Sequence, residues 1–138
     1  MTALLERVAE SWREFRGSVR EDDLARVTSA GWRVRDLLAH VVGWEAETAR
    51  RLAVFRHDGV QLEPLLPVDE FNSDSVSRYA RLSATTLLDE LDRTHRALVA
   101  EVGSLSDEQL RENGAWAAAI VAGNTFEHYA EHRQELPR

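Results

Sequence analysis

The chain has 138 residues, 43% hydrophobic and 30% charged, enough apolar material for one packed domain over residues 1–138 and too much for a disordered chain. It contains no cysteine, so disulfides, thiolate metal sites and a cysteine nucleophile are excluded, and any metal must take nitrogen or oxygen ligands. A net charge of −7 without a dense Lys/Arg cluster argues against a nucleic-acid partner, because an acidic surface repels phosphate backbones.

Apolar residues recur at three- and four-residue intervals almost throughout, and alternating runs are absent, which predicts an all-α protein. The first helix is expected from Thr2, as N-cap, through Leu4, Leu5, Val8, Ala9, Trp12 and Phe15, stopping near Gly17. EDDLARV has room for a short helical turn before Gly31 punctuates the chain. A second helix is expected over about residues 34–57, with Leu37, Leu38, Val41, Val42, Ala46, Leu52 and Phe55 as its stripe. Gly59 and the two prolines of HDGVQLEPLLP mark a loop after it. A third helical region is expected over about residues 69–102, as one kinked helix or as two, with Ser83 capping the second. Gly103 ends that region, and SDEQL reads as a small capped turn. The last helix is expected over about residues 115–136. Four main helices, with the 11-residue stretch after the second free to pass over one end as a crossover, describe a four-helix bundle. No apolar run is long enough to span a membrane, and MTALLERVAESW lacks the apolar core of a signal peptide, so a cytoplasmic protein is expected.

EHYAEH, residues 127–132, places His128 and His132 about 40° apart on one helix, inside its apolar arc, with Asn124, Glu131 and Glu135 along one flank. Inward-facing imidazoles need partners; a shared metal satisfies both, and so do two ordinary hydrogen bonds. His40, on the second helix, lies at the boundary of the apolar stripe near Trp44, with Asp36 or Glu47 placed to take its second N–H. Two imidazoles from one helix and one from a facing helix would leave a coordination position open for water or substrate. HYAEH also fits the H-x-x-E-H pattern of inverted zinc proteases, with Glu131 as base, but such enzymes need a larger scaffold and a distant acidic ligand. His57, at a helix end, and His95, among Asp92, Arg93 and Arg96, are expected in solvent. Trp12, Trp32 and Trp116 read as core or loop anchors, Trp44 as a residue lining the cleft, and Asn72 as either bonding the backbone or facing the cleft.

GWRVRDLLAHVVGWE, then VDEFN before a long amphipathic helix, then NTFEHYAEHRQEL, resemble in order and spacing the DinB-like (damage-inducible-protein-like) four-helix family, from Leu4 to Leu136. The resemblance implies a bundle with a long crossover, often a homodimer. It also implies zinc or nickel held by one histidine of the second helix and an H-x3-H pair of the fourth, here His40, His128 and His132. The related superfamily includes thiol-dependent transferases and isomerases that use bacillithiol, mycothiol or glutathione, with the metal binding the cofactor thiol. Two departures stand out: Arg33 occupies a position where a capping Ser or Thr is common, and arginine-rich and paired-histidine features of mycothiol-dependent maleylpyruvate isomerases are not visible. The expected function is a metal-dependent transfer of a low-molecular-weight thiol to a small electrophile, with Glu131 or Glu47 as proton acceptor. The alternative is a module that sequesters a small toxic molecule without catalysis, its pocket lined by Trp44 and Asn124. A purely structural bundle with hydrogen-bonded histidines is the third reading.

Overall fold

The computed structural model describes residues 2–137. Helix α1, Ala3–Gly17, is capped at its start by Thr2, whose hydroxyl accepts the Leu5 N–H. A single 3-10 turn at Glu21–Asp23 stands where EDDLARV left room for one. Helix α2, Val34–Asp58, ends on Gly59 at φ +70°, the left-handed cap that glycine takes without a Cβ penalty. The third region resolves into two helices, α3 (Val68–Tyr79) and α4 (Ala84–Ser104), and Ser83 caps the second by accepting the Thr86 N–H. Gly103 does not end α4; the helix runs one residue past it.

SDEQL is the start of a helix rather than an isolated turn. The Ser106 hydroxyl accepts the Gln109 N–H and the Gln109 side chain accepts the Ser106 N–H, a complete capping box opening α5, Asp107–Asn124. The expected single last helix is broken twice. Residues 112–115 leave helical geometry, and at Thr125 (φ −123°, ψ −103°) the chain breaks again before α6, Phe126–Arg133. The Thr125 hydroxyl donates back to the Val121 carbonyl at 2.6 Å, an alternative to the helical ladder that its sequence position does not reveal.

The direction of each helix follows from its core partners. Leu37, Leu38 and Val41, early in α2, share one apolar cluster with Leu87, Leu88 and Leu91, early in α4. Leu52 and Phe55, late in α2, share a second cluster with Leu98 and Val102, late in α4. The two helices therefore run parallel, and parallel neighbours in a bundle need a long connection. The loop after Gly59 and helix α3 supply it. Arg51 fixes the loop by donating to the Leu62 carbonyl, and Arg35 fixes the end of α3 through the carbonyls of Tyr79, Ala80 and Leu82. Val8 and then Phe15 run from the second cluster to the first, as do Val121 and then Tyr129, so α1 and the α5–α6 segment run against α2 and α4. The result is the expected all-α bundle of the DinB-like type, with the fourth position filled by a broken helix.

Ala115 sits at φ +62°, where its Cβ crowds the following carbonyl at a cost of about 1–2 kcal/mol. Ala115→Gly removes that clash and adds unfolded-chain entropy worth about 0.4–1 kcal/mol, leaving a net gain of roughly 0.5 kcal/mol. A higher urea midpoint with an unchanged m value is the expected reading.

Candidate metal centre

Three imidazoles meet between α2 and α6. His40 Nε2 lies 2.8 Å from His128 Nε2 and 3.2 Å from His132 Nε2. All three ligand atoms fall within 4.8 Å of one another. The pairing expected from the sequence is thus present in space, although α6 is a separate short helix and its phase relative to α5 is reset at Thr125.

The protonation of two rings can be read from their outer partners. Trp44 Nε1–H is a donor only, and it donates to Asn72 Oδ1 at 2.7 Å. That contact fixes the amide orientation, so the same oxygen must accept from His40 Nδ1 at 2.9 Å. His40 is therefore the Nδ1–H tautomer, with a bare lone pair on Nε2. On α6, His132 Nδ1 donates to the Glu135 carboxylate at 2.5 Å, so the neutral form of this ring carries a bare Nε2 as well. In these neutral forms two lone pairs face each other at 3.2 Å with no proton between them. His128 can donate one Nε2 proton to His40, but its buried Nδ1 then has no partner.

A cation between the rings relieves the facing lone pairs and engages all three Nε2 atoms, while His128 Nδ1 stays without a partner. At metal–nitrogen distances of about 2.0–2.1 Å, ligand nitrogens lie about 3.3 Å apart in a tetrahedron and about 2.9 Å apart at right angles. The observed 2.8 and 3.2 Å fit that range. The triad is buried to half-buried and can hold a divalent ion. Burial, then the charge of His132, lowers the His40 pKa to about 4 against a smaller opposing hydrogen bond from Asn72. Burial, then the charges of His132 and His40, lowers that of His128 to about 3. Both rings are neutral at pH 7, the form that ligates metal.

The sequence placed the ligands but not all of their supports. Asp36 and Glu47 do not touch His40: Asp36 pairs with Arg33 and Glu47 with Arg50, each one turn away on α2. The support comes instead from Asn72 on the crossover helix α3. Trp44 is buried and holds Asn72, with its ring 4.3 Å from that of Phe71, so it stands behind the site rather than lining it. Trp32 is the aromatic beside the triad, its ring centroid 5.1 Å from His40 and 5.8 Å from His132. A tight turn presents it: the Thr28 backbone and hydroxyl both donate to the Trp32 carbonyl, Gly31 takes φ +97°, and Ser29 N–H donates to the Glu135 carbonyl. Glu131 is exposed. Asn124 donates to the Ile120 carbonyl, one turn back along its own helix.

His57 is exposed, as expected, but His95 is not. It is 6% exposed; its Nδ1 lies 2.8 Å from Glu45 Oε1, and the Tyr129 hydroxyl donates to that same oxygen at 2.5 Å. The charged neighbours of His95 in sequence point to solvent, while its own place in Leu91–His95–Leu98–Val102 is on the core stripe of α4.

Two solved structures share this architecture. An uncharacterised protein from Clostridium difficile 630 superposes with a TM-score of 0.75 at 15% identity, over 96% of this chain and 90% of its own. An uncharacterised protein from Escherichia coli UTI89 gives 0.74 at 17% identity, over 96% and 86%. At such identities the likeness speaks for the fold alone. No curated protein sequence matches the chain. A family model does: residues 5–135 match the N-terminal domain of mycothiol maleylpyruvate isomerase, so the chain belongs to that DinB-like helical family.

Proposed function

We propose that the protein is a divalent-metal-dependent S-transferase that presents a low-molecular-weight thiol to a small electrophile. The observation that carries this reading is the convergence of three Nε2 atoms, two of them with tautomers fixed as lone-pair donors by Asn72 and Glu135. The family's link to mycothiol supports a thiol as co-substrate, with bacillithiol and glutathione as the other members of that chemical class. A bound zinc or nickel ion would lower the pKa of a coordinating thiol and favour its thiolate. The chain itself supplies no sulfur nucleophile, since it has no cysteine, so the reactive sulfur comes from the co-substrate. His40 and His132 offer fixed lone pairs, and Trp32 contributes an apolar wall beside them. Glu47 is committed to Arg50 and Glu131 to solvent, which leaves Glu135, already hydrogen-bonded to His132, as the nearest carboxylate to the ligand set.

Metal analysis of protein purified without chelator should give about one ion per chain, with loss of the ion in His128→Ala. The loaded protein should then consume a model electrophile such as monobromobimane only when mycothiol, bacillithiol or glutathione is present. Protein that takes up neither zinc nor nickel stoichiometrically ends this reading. Protein that holds the ion but consumes no thiol points to sequestration instead.

A further inference from the structure

Away from the triad, α1 and α4 enclose an open cavity of about 520 Å³. Leu5, Ala9, Trp12 and Val99 form its apolar walls, and it shares no residue with the three ligand histidines. Its polar groups are of one kind. Arg13, Arg16 and His95 line it and no carboxylate does, in a chain with 24 acidic and 17 basic residues. Arg16 is bonded to Asp92, whereas Arg13 forms no ion pair among the described residues.

His95 is the buried polar group at this cavity. Its side chain is 7% exposed, and the ring lies against Trp12 with centroids 3.7 Å apart and planes 8° from parallel. Nδ1 is occupied by Glu45 and Tyr129, while Nε2 has no hydrogen-bond partner among the described residues. The state of that nitrogen follows from the pair behind it. Glu45 is fully buried and its second oxygen is also unpartnered, so a net negative charge on the pair would be costly there. Burial accordingly pushes the Glu45 carboxyl up, against the pull of His95 and Tyr129. A proton on the unpartnered Glu45 Oε2 would be a buried donor with no acceptor, so with the shared proton between Oε1 and Nδ1 the neutral pair carries its second proton on Nε2. The imidazole thus offers an N–H donor to the cavity.

We propose that this cavity is a second ligand site, for a small hydrophobic anion: a carboxylate on an aromatic or aliphatic body, its head between His95 Nε2–H and Arg13 and its body against Trp12. The volume lies within the range of about 300–1,000 Å³ typical of small-molecule pockets, and apolar walls with a few convergent polar groups are their usual lining.

The test is calorimetric titration with 2-naphthoate and with the neutral 2-naphthylmethanol, alongside NMR of the His95 ring. One naphthoate per chain is expected, bound about tenfold more tightly than the alcohol and shifting the His95 resonances. Arg13→Glu, on the exposed rim, should weaken naphthoate by about tenfold or more and leave the alcohol unaffected. Ala9→Trp should block both ligands, and His128→Ala should change neither, which separates this site from capture at the histidine triad. His95→Phe keeps the ring stacking and should remove the preference for the anion. Equal affinity for acid and alcohol, no binding of either, or full naphthoate affinity in Arg13→Glu would overturn the proposal. So would a dimer in light scattering that Ala9→Trp dissociates, since a second copy would then be the occupant.

Discussion

Acidification from pH 7 to pH 4 is expected to cost the metal-free protein roughly 3 kcal/mol for each of His40 and His128 at most, the equivalent of their displacement from the unfolded value. Their folded pKa values, about 4 and about 3, lie below the ordinary 6.5. Between pH 6.5 and 4 the unfolded chain therefore binds more protons than the folded one, and stability rises with pH. The contribution is complete above 6.5 and is lost as pH falls through the folded values. Glu45 works in the opposite sense: burial raises its pKa, so its share of stability is present below 4.5 and declines as pH climbs through its folded value. Urea midpoints at pH 7, 5.5 and 4 measure the sum, and Glu45→Gln removes the opposing part. In His40→Phe/His128→Phe the slope across this window should fall close to that of the carboxylates alone. A slope unchanged in the double variant would show that the two rings are not held neutral by the fold.

Added zinc should enlarge the pH dependence. At a thousandfold excess over its dissociation constant a ligand of the native state contributes about 4 kcal/mol, on the order of 10 °C in melting temperature for a domain of this size. Protons and the ion compete for the same three lone pairs, so that increment shrinks in acid. Because His40 and His128 resist protonation until about pH 4 and 3, retention should extend below pH 6, where free imidazoles are already charged.

What the sequence disclosed, and what it did not, divides along the reach of each interaction. Caps and stripes are local: Thr2 and Ser83 act within three residues and the helix starts they mark are observed, whereas SDEQL, equally local, read as a small turn although its Ser106–Gln109 box opens α5. The i,i+4 histidines are local too, and His40 stood out at the boundary of its apolar stripe before the family resemblance matched it. Asn72 is 32 residues from the ring it orients, and only the docking of α3 on α2 joins them. His95 and Glu45 are 50 residues apart. Each nevertheless left a trace, a titratable side chain at a core position of its helix, as in Val41–Glu45–Thr48–Leu52. A buried carboxylate at such a position demands a donor from elsewhere, and the charged neighbours of His95 concealed that it was one. The break at Thr125 escaped for a different reason: threonine is tolerated in helices, and the choice to bond Val121 depends on packing.

Gly43→Ala is expected to weaken metal binding without touching a ligand. A Cβ at residue 43 would lie 2.1 Å from Ser75 Oγ, 2.7 Å from Ser75 Cβ and 3.4 Å from the Phe71 ring. The hydroxyl can rotate away, but Ser75 Cβ is fixed to the backbone of α3 and the residue is 3% exposed, so the helix itself must move. Overpacking of this kind costs about 1–3 kcal/mol, of which the better helix propensity of alanine returns up to about 1. Asn72 lies on the same helix, one turn before Ser75, and loses its alignment with His40 Nδ1 and Trp44 Nε1 as α3 shifts. Loss of such an outer hydrogen bond typically lowers metal affinity about 10–100-fold. Asn72→Ala should reproduce the affinity loss without the packing strain, and Gly43→Ala/Ser75→Gly should recover both stability and affinity by restoring the space. If Gly43→Ala is destabilised yet binds zinc as tightly as the parent, α3 yields without disturbing Asn72, and the tautomer of His40 does not depend on the close contact between these two helices.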